Sequence, residues 1–376
     1  MANKTKITFV VHSLNPGGAE KLALDMALEL KKEFQLSVIC LDEVGIWGKI
    51  LRNKQVPVIS LYREEGVDIY IPYLLSKYTK EFQTNIIHAH QTTPWFYSAL
   101  SRLFNPKPYL LFEEHGRFYP EIKNKKKILF NKLLINKLTH KVVAVSNDIK
   151  NRLIEYEGVS EKKIQVIYNG IKIENIDTDN LKKECRKKLN LDEDDFVVGS
   201  VGRLDPIKNF PMLIKGIKIA KNQIPNLKCV IIGDGPEFSK LNKIIEDKQL
   251  EDIILLTGYK KDASRLVAAF DVFVLTSFSE GISMAILEAM SLSVPCIATK
   301  VGGNVELIEN NLSGWLVESN DWKSLARVLI YAYNNRELLE KIGKNGQKQV
   351  KEKFLFKDMI ENYKKIYRQL SNTNYN

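Results

Sequence analysis

Two glutamates, Glu280 and Glu288, flank a short segment whose residue types could hold a phosphate group. The segment follows an apolar run that ends at Thr276, turns through Glu280 and Gly281, and predicts a helix that begins near Ser283. Amide N–H groups at a helix start have no partner within the helix and attract anions. The candidate anion-binding amides are those of Gly281, Ile282, Ser283 and Met284.

The two carboxylates indicate a ligand that carries hydroxyl groups beside its phosphate. Glu288 lies about five residues into the predicted helix, roughly 7 Å along its axis, where it can accept hydrogen bonds from the vicinal hydroxyls of a ribose. Glu280 lies at the turn, nearer to a sugar. The alternative is a solvated turn glutamate and a helix glutamate favoured by the macrodipole. Each residue alone fits both interpretations.

A pair of cations, Arg203 and Lys208, follows an earlier predicted strand, with Pro206 stiffening the turn between them. A planar guanidinium and a compact ammonium at one site suit a diphosphate whose negative charge grows as it leaves. The alternative is a pair of surface cations, but their position after a strand end favours a site.

Two adjacent glycines, Gly17 and Gly18, follow the first predicted strand and open its helix. Without side chains there, the backbone can approach a ligand closely. The third glycine of a dinucleotide fingerprint is missing, so we predict no nicotinamide site. A tight strand-to-helix turn is the alternative explanation.

His115 ends a predicted strand that carries Glu113 and Glu114, and Gly116 follows it. An imidazole titrates near neutral pH, so His115 could act as a general base. The alternative is a buried core histidine.

Two further histidines, His88 and His90, share one face of a predicted strand and could bind a metal ion. No third ligand with suitable spacing accompanies them, so we predict no metal site and expect one of them at the edge of a cleft. The acidic string 192–194 precedes a strand instead of following one, and we interpret it as solvated charge.

The elements that must position these residues alternate between strands and helices. One series of strands runs from Lys6 to Tyr168, and a second runs from Phe196 to Ala298. Such alternation predicts two doubly wound α/β domains with parallel sheets, which we expect to face a cleft with ligands at the strands' carboxyl ends. The predicted parts are a first domain at 1–174, a linker at 175–195, a second domain at 196–353, and a terminal helix with a polar tail at 354–376.

Composition limits the possible partners. The chain has 376 residues, 44% of them hydrophobic, and a formal net charge of +11, which suits anionic partners. It has no nucleic-acid-binding signature, so we predict no nucleic-acid partner. No apolar run approaches the roughly 20 residues of a spanning helix, no signal peptide is apparent, and the four cysteines lack metal or redox spacing. We expect a cytoplasmic protein, or one peripheral on the cytosolic face of the inner membrane.

Residues 117–141 are strongly basic, with eight Lys or Arg against one Glu and a local net charge of +7. Apolar residues interleave with the lysines. A basic amphipathic helix of this kind can lie on an anionic membrane surface. It can equally pack its apolar side on the domain and leave its lysines in water.

The two glutamates and their surroundings closely resemble glycosyltransferase family 4, whose members are retaining enzymes of the two-Rossmann GT-B fold. The resemblance covers nearly the whole chain. Besides the Glu-x7-Glu motif it is carried by Gly17-Gly18-Ala19-Glu20, Glu114-His115-Gly116, Tyr168-Asn169-Gly170, Val201-Gly202-Arg203-Leu204 with Lys208, Gly233-Asp234-Gly235-Pro236, Pro295-Cys296-Ile297-Ala298 and Gly302-Gly303-Asn304-Val305-Glu306.

The resemblance implies a nucleotide diphosphate sugar as donor, a glycan or lipid-linked acceptor, and a role in bacterial surface polysaccharide, lipopolysaccharide or glycoconjugate biosynthesis. It implies retention at the anomeric carbon without a metal or cofactor, and a terminal helix that returns to the first domain. His115 would contact the transferred sugar and stabilise the transition state.

The residues expected to act fall into three groups. His115 and Glu280 are expected to be catalytic, and His90 and Arg117 to lie on the acceptor side. The donor-binding residues are expected to be Gly17, Gly18, Arg203, Lys208, Gly233, Gly235, Gly281, Ile282, Ser283, Met284 and Glu288.

Some questions stay open at the level of sequence. Many relatives carry glycine or proline at the position of Ser283, so the donor's base and sugar stay open. The alternative functions are a GT-B epimerase or phosphorylase, or a non-catalytic protein that binds a nucleotide sugar.

Overall fold

A computed structural model describes residues 4–117, 120–173 and 177–372. The chain divides into two compact units. The first runs to Asn169 and takes in the chain again from Lys357, and the second is Gly170–Phe356.

The first unit is built on one parallel sheet. Its strands are β1 (Lys6–Val11), β2 (Gln35–Cys40), β3 (Val58–Ser60), β4 (Ile86–His90), β5 (Tyr109–Glu114), β6 (Lys141–Ala144) and β7 (Ile164–Val166). They lie in the order β3-β2-β1-β4-β5-β6-β7. The central strands are buried along almost their whole length because helices cover both faces of the sheet.

Helices connect these strands. They are α1 (Gly18–Leu30), α2 (Gly45–Asn53), α3 (Ile71–Glu81), α4 (Thr92–Ser101), α5 (Lys125–Phe130), α6 (Asn136–Leu138) and α7 (Asn147–Glu157). A π-helical segment, Asn131–Ile135, joins α5 to α6, and a 3-10 turn, Glu161–Lys163, precedes β7.

The second unit repeats the plan. Its strands are β8 (Phe196–Val201), β9 (Leu227–Ile232), β10 (Ile254–Leu256), β11 (Val272–Leu275), β12 (Cys296–Thr299) and β13 (Gly314–Val317), in the order β10-β9-β8-β11-β12-β13. The helices are α8 (Thr178–Lys188), α9 (Phe210–Ala220), α10 (Phe238–Asp247), α11 (Ala263–Leu266), α12 (Met284–Ser291), α13 (Asn304–Leu307), α14 (Trp322–Asn334) and α15 (Arg336–Lys353). Short 3-10 turns lie at Pro206–Lys208 and Val267–Ala269. The two predicted doubly wound parallel sheets are therefore confirmed.

The segment predicted as a linker, 175–195, lies inside the second unit, so the prediction needs correction. Its described part forms α8, in which Leu181 and Cys185 are buried. The guanidinium of Arg186 is also buried and lies 2.8 Å from Asp271 Oδ2. The charged composition led to the wrong prediction. Two buried apolar residues four positions apart and one buried ion pair are sufficient to hold the helix on the second unit.

The terminal helix α16 (Phe356–Asn372) belongs to the first unit from Lys357 onward, as expected. The residues that it buries include Met359, Tyr363, Ile366 and Tyr367, which recur at helical spacing. Among the helices that the structure describes, none combines the length and apolar composition that a membrane span requires.

Candidate active site

Four loops of the second unit lie at one edge of its sheet, because parallel strands end on the same side. They follow β8, β9, β11 and β12, and they carry most of the predicted donor-binding residues. The carboxyl edge of a doubly wound sheet is where such folds bind ligands.

An ion pair joins the loops that follow β8 and β11. Lys208 Nζ lies 2.6 Å from Glu280 Oε1, and the same oxygen accepts a 2.5 Å hydrogen bond from Ser277 Oγ. The side chains of Lys208 and Glu280 are only 23% and 10% exposed. From the sequence, Lys208 is predicted to bind phosphate and Glu280 to lie near the sugar. No role is predicted there for Ser277.

Hydrogen bonds to main-chain carbonyls hold these two loops together. Phe278 N donates to Ile207 O at 2.8 Å. Thr276 Oγ1 lies 3.1 Å from Lys208 O and 3.0 Å from Asn209 O, within donating distance of both. The position of Lys208 beside Glu280 therefore follows from the backbone of both loops and does not depend on the ion pair alone.

Two glycines after β12 support the turn at Glu280. A Cβ atom on Gly303 would lie 1.7 Å from Gly281 O, and one on Gly302 would lie 2.0 Å from Glu280 O. Gly302 also has a φ of +50°, in the region that favours glycine. Gly303 N donates to Glu280 O at 3.2 Å. Glycine is required at both positions because the two backbones are in direct contact.

The helix predicted to begin near Ser283 is α12. Ser283 is its N-cap, and the Ser283 hydroxyl accepts from Ile286 N at 3.4 Å. Gly281, Ile282 and Ser283 are buried, while Met284 and Glu288 are partly exposed. The helix start therefore lies directly after the Glu280 turn, as the anion-site prediction requires, while ligand binding by these amides stays a prediction.

Arg203 differs from Lys208. Its side chain is 68% exposed, and its Nε lies 2.9 Å from Asp205 Oδ2. The two predicted cations therefore have different environments, because Lys208 pairs with Glu280 whereas Arg203 lies largely in solvent. A diphosphate contact from Arg203 stays a prediction.

The glycines after β9 have a packing role. A Cβ atom on Gly233 would lie 1.9 Å from Gly202 O, and one on Gly235 would lie 2.8 Å from Leu204 N. These glycines allow the loop after β9 to pack against the loop after β8. Packing alone therefore accounts for glycine at both positions, and their contact with the donor stays a prediction.

Gly17 and Gly18 of the first unit have no such packing role. A Cβ on Gly17 would meet only the flexible end of the Glu20 side chain, and one on Gly18 would meet nothing within 4 Å. Gly17 is the N-cap of α1 and has extended backbone. The bare backbone at this helix start is thus open to an outside group, as the sequence prediction requires.

A group of buried side chains, here called the histidine cluster, surrounds His115. Its members are His88, His90, Glu113, His115, Tyr363 and Tyr367. Tyr363 O–H donates to Glu113 Oε1 at 2.5 Å, and His88 Nε2 lies 3.0 Å from Glu113 Oε2. The aligned register of β4 and β5 puts His90 opposite Glu113, and His90 Nδ1 lies 3.1 Å from His115 Nε2.

Burial decides the protonation of this cluster. It lowers the pKa of His88 and lowers that of His90 well below its usual value, so both are neutral near pH 7. Burial alone would raise the pKa of Glu113, but contacts with the three histidines outweigh it and hold that pKa well below its usual range. Glu113 is therefore ionised and acts only as a hydrogen-bond acceptor.

Glu113 lies two positions before His115 in the sequence, which predicts no role for it. The available signal was a glutamate inside an apolar strand, since a buried carboxylate needs partners. Its tyrosine partner, Tyr363, lies 250 residues away in the chain, in α16, and no local pattern connects the two residues.

Arg117, expected on the acceptor side, lies within a network of carboxylates. Its guanidinium contacts Glu114, Glu121 and Glu157, with Arg117 Nη2 and Glu157 Oε1 2.6 Å apart. Burial would lower the pKa of Arg117, but the hydrogen bonds that Arg117 donates to Glu121 and its contacts with Glu114 and Glu157 raise that pKa overall. The structure thus gives Arg117 a role within the first unit, and acceptor contact stays a prediction.

Comparisons with known proteins identify the family. The model for Glycosyltransferase Family 4 matches residues 16–175, and that for Glycosyl transferases group 1 matches residues 182–349. An uncharacterized glycosyltransferase of Methanocaldococcus jannaschii is 30% identical over 367 residues, which cover 94% of this chain and 95% of the relative. The chain belongs to glycosyltransferase family 4.

Other relatives of this glycosyltransferase extend over its full length. The UDP-Gal:alpha-D-GlcNAc-diphosphoundecaprenol alpha-1,3-galactosyltransferase of Escherichia coli is 28% identical, with 97% of each chain covered. Anabaena Alr3699/HepE, solved in complex with UDP, matches with a TM-score of 0.82 and 23% identity, covering 98% of this chain and 100% of that one. The fold is therefore GT-B, as the sequence predicts.

The glycosyltransferase contains one group of side chains, within the described residues, that could contact a single metal ion. Potential ligand atoms of His88, His90 and Glu113 lie within 4.8 Å of one another. Glu113 supplies a third potential ligand atom, which sequence spacing did not suggest because Glu113 lies on the neighbouring strand. Its carboxylate already accepts from Tyr363, and His88 Nδ1 lies 2.8 Å from Tyr367 Oη.

The basic segment of the glycosyltransferase presents both its lysines and part of its apolar side to solvent. Ile135 is buried, whereas Leu129, Phe130 and Leu133 are exposed. Only part of the apolar side therefore packs on the first unit. Phe130 is also near Phe96 of α4, with ring centroids 6.4 Å apart.

Proposed function

We propose that this glycosyltransferase transfers a sugar, with retention of anomeric configuration, from a UDP-sugar to a hydroxyl of a glycan or lipid-linked acceptor. We assign the reaction to bacterial surface polysaccharide, lipopolysaccharide or glycoconjugate biosynthesis. The observation that carries the proposal is the Lys208–Glu280 pair at the start of α12, at the edge where four strands end.

Charge development explains why this arrangement suits the reaction. As the sugar leaves the donor, negative charge grows on the diphosphate. In this proposal Lys208 and the amides at the start of α12 offset that charge, and Arg203, whose side chain is largely exposed, contributes as well. In this scheme no metal ion or cofactor is needed, and the acceptor attacks on the face from which the phosphate departs.

The two glutamates have separate roles in the proposal. Glu280, whose carboxylate is oriented by Lys208 and Ser277, contacts the transferred sugar. Glu288, partly exposed in the second turn of α12, accepts from the ribose hydroxyls. Neither acts as a nucleophile. Gly17 and Gly18 of the first unit, where a Cβ would meet little, stay assigned to donor binding.

The choice of UDP rests on the relatives. The E. coli galactosyltransferase is named for UDP-Gal, and the Anabaena structure contains UDP. The E. coli name also contains a diphosphoundecaprenol acceptor, which supports a lipid-linked acceptor for this chain. His115 is assigned to the transferred sugar, and His90 and Arg117 are assigned to the acceptor side.

A lipid-linked acceptor would require access to a membrane surface, and the basic segment 117–141 is the part of the chain best suited to it. Exposed Leu129, Phe130 and Leu133 lie among exposed lysines, a combination that favours anionic bilayers. Ile122 is 84% exposed and adds to the same surface. We propose peripheral attachment on the cytosolic face through this segment.

Product analysis tests the proposed reaction. The purified chain is incubated with UDP-, GDP- and ADP-sugars and a polyprenyl-diphosphate sugar, with and without EDTA. We expect an EDTA-resistant transfer product with retained anomeric configuration from a UDP-sugar. An isomerised nucleotide sugar would indicate an epimerase, and released sugar phosphate a phosphorylase. Tight donor binding without turnover would indicate a binding protein.

Vesicle flotation at low salt tests the membrane proposal. Each lysine near an anionic surface contributes roughly 1 kcal/mol, so neutralising three should weaken binding by roughly 100-fold. The test variant carries Lys125→Gln, Lys126→Gln and Lys137→Gln. The matched control carries Lys341→Gln, Lys344→Gln and Lys348→Gln, three exposed lysines of α15. Equal binding of the two variants, or no binding of the wild type to anionic vesicles, would exclude this segment as the attachment surface.

A further inference from the structure

Three buried side chains of the first sheet bring potential metal-ligand atoms together. They belong to His88 and His90 of β4 and to Glu113 of β5, and one ligand atom from each lies within 4.8 Å of the other two. His90 is paired with Glu113 in the register of the two strands, and His88, two positions earlier, lies on the same face as His90. The exposed fractions of the three side chains are 0% for His88, 4% for His90 and 0% for Glu113. Their proximity therefore follows from the sheet and not from a flexible loop.

Two of these atoms lie close together without forming a hydrogen bond. Glu113 Oε2 and His88 Nε2 are 3.0 Å apart, yet neither has a hydrogen-bond partner among the residues that the structure describes. Buried polar atoms in folded proteins almost always have a partner, and an unpaired one requires an explanation such as an ion. A cation bound by both atoms satisfies both at once, because a carboxylate oxygen and an imidazole nitrogen each offer it a lone pair.

The distances around the carboxylate fit one ion. Glu113 Oε2 lies 3.0 Å from His88 Nε2 and 3.4 Å from His90 Nδ1. Neighbouring ligand atoms of a tetrahedral zinc ion, with bonds of about 2.0–2.1 Å, are about 3.3 Å apart. Both distances are close to this value, so an ion beside Oε2 is within reach of both imidazoles. In this arrangement His90 Nε2 carries the ring proton, on a ring whose centroid lies 4.8 Å from that of Phe9.

The donor set indicates which ions fit. Two imidazoles and one carboxylate are the protein ligands of several zinc sites, in which a non-protein ligand takes the fourth position. The same set binds Fe(II) in non-haem iron enzymes. Hard cations such as Mg²⁺ prefer oxygen ligands and are disfavoured. A divalent transition-metal ion therefore fits best, and zinc is the ion to test first.

Two tyrosines of α16 orient the ligands. Tyr363 O–H donates to Glu113 Oε1 at 2.5 Å, which leaves Oε2 for the ion. Tyr367 Oη lies 2.8 Å from His88 Nδ1 and can accept a hydrogen bond from it, which leaves Nε2 for the ion. Metal-bound histidines and carboxylates characteristically have such outer partners. The same contacts connect the three ligands to the terminal helix.

His115 lies at the edge of this group. Its Nε2 is 3.1 Å from His90 Nδ1 and 3.6 Å from Glu113 Oε1, and its side chain is 5% exposed. His115 can therefore approach the fourth position of the ion or leave that position to water.

We propose that His88, His90 and Glu113 bind one divalent transition-metal ion, zinc by its donor set, through His88 Nε2, His90 Nδ1 and Glu113 Oε2. The ion has a structural role. Its ligands come from β4 and β5 and their outer partners come from α16, so it fastens the terminal helix to the first sheet. It does not act on the donor diphosphate, whose charge is offset by Lys208 and α12 in the proposed function, and the site does not depend on that function.

Metal analysis of the full chain, expressed without a histidine tag, is the first test. The protein is unfolded in the presence of a chelator, dialysed, refolded with zinc chloride and freed of loose metal by gel filtration. We expect close to one zinc ion per chain in the wild type and almost none in His88→Gln/Glu113→Gln. The matched control is His140→Gln/Glu114→Gln, which changes a histidine and a buried glutamate outside the ligand set and should keep the zinc. A metal-free wild type, or equal zinc in both folded double variants, would overturn the proposal.

X-ray absorption of the zinc-loaded wild type tests the ligands without any substitution. We expect nitrogen and oxygen neighbours at about 2.0–2.1 Å and no sulfur neighbour at about 2.3 Å. The four cysteines are free and buried, so a zinc–sulfur signal would mean that the ion binds a thiol instead and would refute the assignment.

The outer partners provide variants that leave all three ligands in place. Tyr363→Phe and Tyr367→Phe should each weaken zinc affinity about 10- to 100-fold, as expected when the partner of a metal ligand is lost. Competition with a chromophoric chelator measures this affinity. Tyr333→Phe, in α14 of the second unit, is the matched control and should bind zinc like the wild type. Unchanged affinity in both folded α16 variants would contradict the site.

Hydrogen exchange tests the structural role. Amide exchange in α16 should be slower in the zinc-loaded chain than in the chain refolded without metal, because the ion holds the ligands that Tyr363 and Tyr367 contact. Equal exchange in α16 with and without bound zinc would refute that role.

Discussion

Replacing Lys208 by Met and Glu280 by Gln, singly and together, tests whether these residues act as one unit. Their charged atoms are 2.6 Å apart, with 23% and 10% of the side chains exposed. Two unit charges 4 Å apart attract by about 4 kcal/mol at an effective dielectric constant of about 20. Desolvation and the ordering of both side chains offset much of this. We therefore expect a coupling of about 1–2 kcal/mol in the free energy of unfolding.

Denaturant unfolding of the four proteins measures this coupling. Lys208→Met alone should destabilise the protein more than the double variant, because among the described residues it leaves the largely buried Glu280 carboxylate with Ser277 as its hydrogen-bond partner. Lys344→Met removes the cation from an exposed pair of similar length with Glu340 and should cost at most about 0.5 kcal/mol. If the changes in unfolding free energy of the two single variants sum to that of the double variant within about 0.5 kcal/mol, the pair is not coupled.

Transfer kinetics on the same proteins connect the pair to catalysis. Each single variant should lower kcat/KM by about 100- to 1000-fold, as expected when a group that stabilises developing charge is lost. The kcat/KM of the double variant should be at most about tenfold lower than that of the less active single variant, because the effects of residues that act as a unit are not additive. Wild-type turnover in Lys208→Met would refute the proposed role of the ammonium.

Three further predictions follow from particular contacts. Gly303→Ala puts a Cβ 1.7 Å from Gly281 O; it should destabilise the protein by about 1–3 kcal/mol, and an unchanged Tm would contradict this. Gly18→Ala meets nothing within 4 Å, so the Tm should stay the same or rise slightly while the donor KM increases; an unchanged KM would mean that no ligand approaches there. His140 Nδ1 accepts from Leu110 N at 3.0 Å, and burial, with help from nearby cations, lowers the pKa of His140 to about 4. Between pH 6.5 and about 4 the unfolded chain then binds more protons than the folded chain, so the free energy of unfolding should decrease as the pH is lowered through that window. Urea unfolding at each pH measures this decrease, which should be less steep for His140→Gln than for the wild type.

The sequence by itself determined most of the fold. Alternating apolar strands and helices predicted two doubly wound parallel sheets, because strands covered on both faces must be apolar along their length. It also located the start of α12 at Ser283, since a cap residue after a glycine turn is a local signal. Met359, Tyr363, Ile366 and Tyr367, which α16 buries, recur at helical spacing in the sequence, so this face depends on a local pattern.

Tertiary structure decided which of these residues work together. Composition suggested a linker at 175–195, but α8 belongs to the second unit, where Leu181 and Cys185 are buried and Arg186 pairs with Asp271. Sequence order could not show that Lys208 pairs with Glu280, or that Gly233 and Gly235 are explained by packing against the neighbouring loop. Each of these facts depends on residues that are far apart in the sequence and are brought together by the fold.

Glu113 shows most clearly what only tertiary structure decides. In the sequence it is one of two glutamates before His115, and nothing local distinguishes its role from that of Glu114. In the folded chain Tyr363 donates to its carboxylate from the far end of the sequence, while β4 supplies the two histidines on its other side. Local patterns specify elements because they depend on neighbours in the chain, whereas the proton state of a buried histidine depends on neighbours in space.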